Sequence, residues 1–297
     1  MTIAVLIATC NRTDMLRTCL ELLLANDRRP DEIVVADQGD DNSTREMLGQ
    51  LDAGQTAIKY EHLVLKGKSN ALNHAIRKTE CDVIALTDDD VLPPSDWLDA
   101  IARVVEAHEE VGAFCGRVLP EEGTNPDDYL NLVLDMEPFI FDKSINPISP
   151  SFVGADMAIR RQVLIDVGCY NEAFGPGSRL RSNEDGELAY RLIRAGVKIR
   201  HSPEMLVYHS GWRGETENVD LLFDYAFGIG ALAGYCRRGG DWPPSWYLAR
   251  KLFYRVRQWL YGLFFCTPRW RDDARLHLRA FIAGYREGRR DPDEPAL

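Results

Sequence analysis

Apolar runs and helical spacings alternate through the first third of the chain. Ile3 to Ala8 and Glu32 to Asp37 predict strands covered on both faces, since neither keeps the polar alternation of a half-exposed strand. Val83 to Asp88 predicts a third. Between the first two, Leu16, Cys19, Leu20 and Leu23 recur at helical spacing behind Thr13, a residue suited to capping. Ser69 to Lys78 gives another helix. Ser95 then precedes a helix over Asp96 to His108, whose early acid complements the positive end of the helix dipole. Strands alternating with helices in this order form parallel β-α-β units, so this part predicts a doubly wound sheet of the nucleotide-binding kind.

From about Gly112 the pattern turns strand-rich and irregular: GAFCGRVL, a proline-broken stretch from Pro120 to Pro150, then SFVGADMAIRR. Glu184 to Ala195 resumes helical spacing, and Val197 to Ser202 and Met205 to His209 predict two final strands. Past Gly214 the reading is helical almost to the end, where EGRRDPDEPAL predicts a frayed terminus. The expected division is a mixed α/β domain over residues 1–214, in halves 1–111 and 112–214, followed by a helical extension over 215–297.

The formal charge of −11 argues against a general nucleic-acid binder, because such proteins displace phosphate counterions with basic surface. The charge is uneven. Residues 237–297 hold 13 Lys and Arg against 7 Asp and Glu, so residues 1–236 carry −17. Seven widely spaced cysteines without a Cys-x-x-Cys pair fit free thiols in a reducing, cytoplasmic setting and no zinc knuckle. Met1 opens directly into TIAVLIAT, which reads as a strand and lacks the basic and cleavage regions of a secretory leader. WLYGLFFC (259–266) falls short of the ~20 residues that cross a bilayer, and no transmembrane helix is expected.

In ALTDDDVLPP, Asp88, Asp89 and Asp90 stand where a buried parallel strand ends, and ligands of such sheets bind beyond the carboxyl ends of their strands. Three adjacent carboxylates repel one another. A divalent cation with a preference for oxygen, Mg2+ or Mn2+, would relieve that repulsion and commonly bridges to substrate phosphate; a solvated acidic turn is the alternative that the triplet alone leaves open. The same order of features continues along the chain: IATCNR, VVADQGDDNST, GKSNALNHA, ALTDDDVLPP, GADMAIRR, NEDGELAYRLIRAG and VYHSG. This ordered series resembles the family 2 glycosyltransferases of the GT-A fold over roughly residues 1–211.

That resemblance implies a GT-A nucleotide-binding fold, with a mixed central sheet flanked by helices, and a metal-dependent, inverting transfer of sugar from a nucleotide-diphosphate donor to a hydroxyl. It implies roles residue by residue. Asp37 would accept hydrogen bonds from the donor's base; Thr9, Asn11 and Arg12 would form the first nucleotide-facing loop; Lys68 and Asn73 would line the base and ribose pocket. Asp88 would face the nucleotide, with Asp89 beside it, while Asp90 and His209 would hold the cation. Asp185 would be the general base that takes the acceptor's proton, with Glu184 its neighbouring competitor. His201, ahead of Ser-Pro, is expected to pack and not to ligate. Two departures stand out: Asp40 and Asn42 alter the usual second-strand motif, and Asp156 stands where asparagine is more usual. Asp156 either meets donor or acceptor or pairs with Arg160 or Arg161.

In the basic tail, Leu252, Phe253, Val256, Trp259, Leu260, Leu263 and Phe264 recur at helical spacing among Arg250, Lys251, Arg255 and Arg257. Such a helix suits an anionic membrane surface, through residues 245–290, or packs on the catalytic domain or a second subunit. Trp212, Trp242 and Trp246 are alternatives for flanking a sugar acceptor, which the resemblance leaves as a glycan or a lipid-linked molecule. A sugar nucleotidyltransferase would share the acidic metal site, but IATCNRTD lacks the glycine-rich triphosphate loop of that class. A non-catalytic carbohydrate-binding protein on the same fold would have no use for intact acids at 37, 88, 90 and 185.

Overall fold

The computed structural model describes residues 1–121, 132–141, 152–210, 215–264 and 268–290. Trp212, Cys266 and most of the stretch from Pro120 to Pro150 lie outside the described residues. Met1–Glu172 with Leu188–Arg213 form one compact unit, and Ala173–Glu187 with Gly214–Leu297 form another.

In the first unit the elements run β1 (Ile3–Thr9), α1 (Thr13–Leu24), β2 (Glu32–Asp37), α2 (Ser43–Leu48), β3 (Ala57–His62), α3 (Lys68–Ile76), β4 (Val83–Leu86), β5 (Val91–Leu92), α4 (Trp97–Ala107), β6 (Ala113–Pro120), β7 (Phe139–Phe141), β8 (Met157–Arg160), α5 (Arg161–Asp166), α6 (Glu184–Ala195, its first turn in the second unit) and β9 (Ile199–His209). Among the described residues these strands make one sheet in the order β3-β2-β1-β4-β8-β6-β9-β5, with β7 alongside β9. The β3-β2-β1-β4 part is parallel; β8 runs antiparallel to both β4 and β6, so the sheet is mixed.

The apolar runs have no solvent face because the sheet is covered twice. Ile3, Val5 and Ile7 meet Leu16, Leu20 and Leu23 of α1 and Ile101 of α4, while Ala4 and Leu6 meet Ala71 and Ala75 of α3. Their continuous burial is what the unalternating pattern announces.

The local signals were less exact. Thr13 opens α1 but caps nothing; its hydroxyl lies 2.7 Å from Ser43 Oγ. Ser95 donates to Asp27 at 3.3 Å instead of capping α4. The third strand ends at Leu86, which leaves all three aspartates in the turn beyond it. The two expected final strands are halves of one, β9. Against β6 its pairing jumps from Cys115↔His201 to Arg117↔Leu206, and Pro203, with no N–H to offer a ladder, sits in the extra residues. Gly116 lies at that irregularity, where an added Cβ would come within 2.4 Å of the Met205 carbonyl oxygen.

The second unit contains α7 (Glu215–Arg238), α8 (Pro243–Phe264) and α9 (Pro268–Arg289), joined by residues 173–187. The expected boundary at residue 214 therefore meets a unit that also takes in the segment carrying Glu184 and Asp185. Helices α7 and α9 touch backbone to backbone: a Cβ at Gly230 would lie 2.2 Å from the Phe281 carbonyl oxygen, and one at Gly284 1.9 Å from that of Phe227. Asn218–Arg238 of α7 is long and apolar enough to cross a membrane by length and composition, with 44% of its most apolar window buried. Its apolar residues are spread along the helix and not run together as they are in WLYGLFFC.

Candidate functional site

Sheet pairing assembles the acids. Beyond β4, Asp88 forms an ion pair with Lys68 at 2.5 Å, and Lys68 is the first residue of α3. Asp89 accepts from Thr9 Oγ1 at 2.7 Å and from Arg12 at 3.0 Å; Arg12 also reaches Asp90 at 3.2 Å. Val91, the first residue of β5, is in register with His209 on β9, and this brings His209 Nε2 to 3.6 Å from Asp90 Oδ1. The Asp90 carbonyl accepts from the Ser210 amide, 2.9 Å away, which closes the same turn. Thr9, Arg12, Lys68, Asp88, Asp89, Asp90 and His209 thus lie in one neighbourhood, at the carboxyl ends of β1 and β4.

The electrostatics differ within the triplet. Burial pushes Asp88 up, but the Lys68 ammonium, its hydrogen bond, and the more distant His209 and Arg12 outweigh it, holding the carboxyl below its usual range. Asp89, only 4% exposed, goes the other way: burial and the charge of Asp90 raise it against the opposing pull of Arg12. Asp90 and His209 offer oxygen and imidazole nitrogen, a donor set suited to Mg2+ or Mn2+ once substrate oxygens complete the shell. Among the described residues no three His, Cys, Asp or Glu side chains are grouped to hold a metal unaided.

The end of β2 builds a second cluster. Asp37 is fully buried and accepts from the Gly39 amide at 2.7 Å and the Tyr60 hydroxyl at 3.0 Å. Burial, then Asp37 itself, pushes the Tyr60 phenol up to about 12. Asn11, with φ of 56°, exchanges two bonds with Asp40: its amide donates to the carboxylate at 2.8 Å, and its oxygen accepts from the Asp40 amide at 2.9 Å. Asparagine tolerates that left-handed backbone better than most residues. Lys66 pairs with the same carboxylate at 2.8 Å. Gln38 ties the loop before α3 to β2 by donating to the Leu65 and Gly67 carbonyls.

Other expected residues are placed differently. Asn73 is turned inward, exchanging bonds of 2.8 and 2.9 Å with the Tyr170 backbone and donating to Glu172 at 3.0 Å. Asp156 is 1% exposed and accepts from the Trp97 indole at 2.8 Å; Arg160 bonds instead to the carbonyls of Val105, His108 and Val111, and Arg161 to Glu80. His201 is fully buried, stacked on Phe139 and bonded to the Asp135 carbonyl, as a packed histidine should be.

Glu184 and Asp185 open α6 within the second unit, and the residues before them are clamped there. Arg181 pairs with Asp224 at 2.9 Å and lies over the Phe227 ring, Ser182 donates to the Asp224 carbonyl at 2.6 Å, and Arg179 pairs with Glu287 at 2.9 Å. Arg181 and Asn183 both take positive φ, 64° and 68°. Tyr60, Gln38, Lys66 and Trp97 were missed from sequence. Tyr60 lies on β3, whose sequence AIKYEH gives a weak strand signal; Gln38 sits inside VVADQGDDNST but was not singled out, and Lys66 and Trp97 fall outside the motifs.

Comparison with known proteins bears on the family and the fold. The profile of glycosyl transferase family 2 matches residues 4–168. A pre-mycofactocin glycosyltransferase of Mycobacterium tuberculosis is 30% identical over 191 residues, 59% of this chain and 36% of the relative, so the match spans little more than a third of that protein. A glucosyl-dolichyl phosphate glucuronosyltransferase of Haloferax volcanii is 21% identical over 258 residues, covering 76% of this chain and 80% of the relative. The fold is that of a mannosyltransferase from Pyrobaculum calidifontis solved with GDP-Man and Mn2+, with a TM-score of 0.61 at 17% identity over 96% of this chain and 86% of that one.

Proposed function

This chain belongs to glycosyl transferase family 2, and we propose that it transfers a sugar, with inversion, from a nucleotide-diphosphate donor to a hydroxyl of a glycan or lipid-linked acceptor. The observation that carries the reading is the convergence of Asp88 with Lys68 and of Asp90 with His209 beyond the carboxyl ends of the strands. Asp90 and His209 would hold Mg2+ or Mn2+, which when bound supplies positive charge to a departing diphosphate. The chain's own residues do the rest. Asp37, backed by Tyr60, receives the base; Asn11 and Asp40 shape the loop beside it; Lys68 fixes Asp88 toward the nucleotide. Arg12, shared by Asp89 and Asp90, supplies positive charge to both.

On motif grounds, Asp185 removes the proton from the acceptor hydroxyl as that oxygen attacks the anomeric carbon, with Glu184 the alternative. The outward apolar and basic residues of α8 support a peripheral position on the cytoplasmic face of an anionic membrane. The test is a panel of UDP-, GDP- and dTDP-sugars with Mn2+, read first as a rise in Tm and then as sugar transfer. A donor that stabilises the fold only with the cation is expected. Absence of stabilisation by every donor would overturn the reading. With a donor identified, Asp185→Asn should bind it normally and lose the single-turnover step; an unchanged rate would move the base to Glu184.

A further inference from the structure

The segment from Thr87 to Trp97 carries the whole acidic triplet, and both of its ends are tied to one dipeptide. Thr87 Oγ1 donates to the Ala155 carbonyl at 2.9 Å, and Trp97 Nε1 donates to Asp156 Oδ1 at 2.8 Å. The dipeptide is itself fixed, since Leu86 and Met157 are in register on β4 and β8 and the Gly116 amide donates to the Asp156 carbonyl at 3.1 Å. The other carboxyl oxygen of Asp156, Oδ2, is buried with no hydrogen-bond partner among the described residues. It faces Gly116, where an added Cβ would lie 2.1 Å from it. An apolar side chain would satisfy a plain packing site; a carboxyl held by one indole and otherwise unpaired is costly, and what it supplies in return is the anchor for Trp97.

We propose that Asp156, by accepting from the Trp97 indole, is the positioning residue that sets the Asp88–Asp90 turn. The inference rests on the transferase reading only for its activity readout. Burial, opposed in part by the Trp97 bond, raises the Asp156 carboxyl to about 7. The groups facing it are few: Trp97 of α4 does not titrate, Met205 of β9 is apolar, and the Cys115 thiol of β6 is pushed up by burial and then by Asp156 and Asp135. A carboxyl raised in the fold binds its proton more tightly there than in the unfolded chain. Its contribution to stability therefore falls as pH rises from about 4 to about 7, and is flat above.

Two substitutions test the proposal, Asp156→Asn and Asp156→Leu, each with Tm from pH 4 to 9, Mn2+-dependent stabilisation by UDP, GDP or dTDP, and transfer rate against pH. Asp156→Asn keeps an acceptor for Trp97 and has no proton to lose. Its Tm should gain on the parent between pH 4 and 7, and its transfer rate and Mn2+ response should stay close to the parent's, a rescue that the Leu variant does not give. Asp156→Leu fills the space but strands the indole N–H; it should fold, yet lose about tenfold in nucleotide and Mn2+ response at every pH. An Asn variant that folds and is inactive throughout overturns the proposal. So does a Leu variant with the parent's cation response. Absence of transfer by the parent, with the Tm and cation responses still as stated, counts against the transferase reading alone.

Discussion

His209 holds Nε2 3.6 Å from Oδ1 of Asp90, because the two-residue strand β5 pairs Val91 with His209. Two residues far apart in sequence become candidate ligands through one short stretch of ladder. Asp90→Asn should reduce transfer by roughly 100-fold or more, the scale of removing an electrostatic stabiliser from a reacting group. His209→Ala should move the midpoint of the Mn2+ titration to higher concentration. Isothermal titration with nucleotide, with and without Mn2+, checks both; unchanged cation dependence in both variants removes the pair from the site.

Lys68 and Asp88 give a pH-dependent expectation. The Asp88 carboxyl is held below its ordinary value, so its pairing contributes stability that is present above about pH 4 and lost as pH falls through the depressed value. Lys68→Met should lower stability at pH 7 by about 2 kcal/mol, the scale of a hydrogen bond to a charged group. The difference from the parent should shrink in acid. Urea unfolding at pH 7 and at pH 3 measures it, and an equal loss at both pH values would mean that Lys68 acts through packing alone.

The close approach of α7 and α9 ties stability to the segment ahead of Asp185. Gly284→Leu forces a side chain into the Phe227 backbone and should destabilise by at least ~2 kcal/mol. Asp224→Ala, which leaves that contact alone, frees Arg181 while keeping the helices packed. Its Tm should fall by a few degrees or less, with a larger loss in turnover than in donor affinity. Equal losses in both would place the Arg181 to Asn183 turn outside the chemistry.

Much of the first unit was legible because burial on both faces leaves a run such as Ile3 to Ala8 with no other reading. The acids were legible only in company: three at the end of such a run fit a solvated acidic turn as well as a ligand site, and the ordered series from IATCNR to VYHSG set them apart. What the pattern missed is non-local. β3 carries Lys59 and Glu61, the acid that pairs with His74, at a sheet edge, so its alternation is masked by charge. β5 is two residues long and exists only because β9 is there to pair. Asp156 and Arg160 are close in sequence, which suggested a pair, yet the Trp97 indole takes the carboxyl and the carbonyls of Val105, His108 and Val111 take the guanidinium. Thr13 and Ser95 had the chemistry of caps, but Ser43 and Asp27 took their hydroxyls.

The outward face of α8 gives the last test. Trp246, Phe253 and Leu260 recur every seven residues and are 73%, 65% and 43% exposed, with exposed Arg250 and Arg257 interleaved. Leu252 and Trp259, expected in the same stripe, are partly covered, and Arg255 is held by Asp273 and His277. The helix therefore divides its apolar residues, and only one set faces out among arginines, which is the arrangement of an interfacial helix. Flotation with liposomes of zwitterionic lipid, alone or with anionic lipid, is expected to carry the chain only when anionic lipid is present. Each of Arg250→Gln and Arg257→Gln should cost about 1 kcal/mol of binding, roughly fivefold in partition, and Phe253→Ser should weaken it without changing its salt dependence. Flotation that ignores all three substitutions would assign the stripe to another copy of the chain, which sedimentation of the Phe253→Ser variant would then reveal as a loss of self-association.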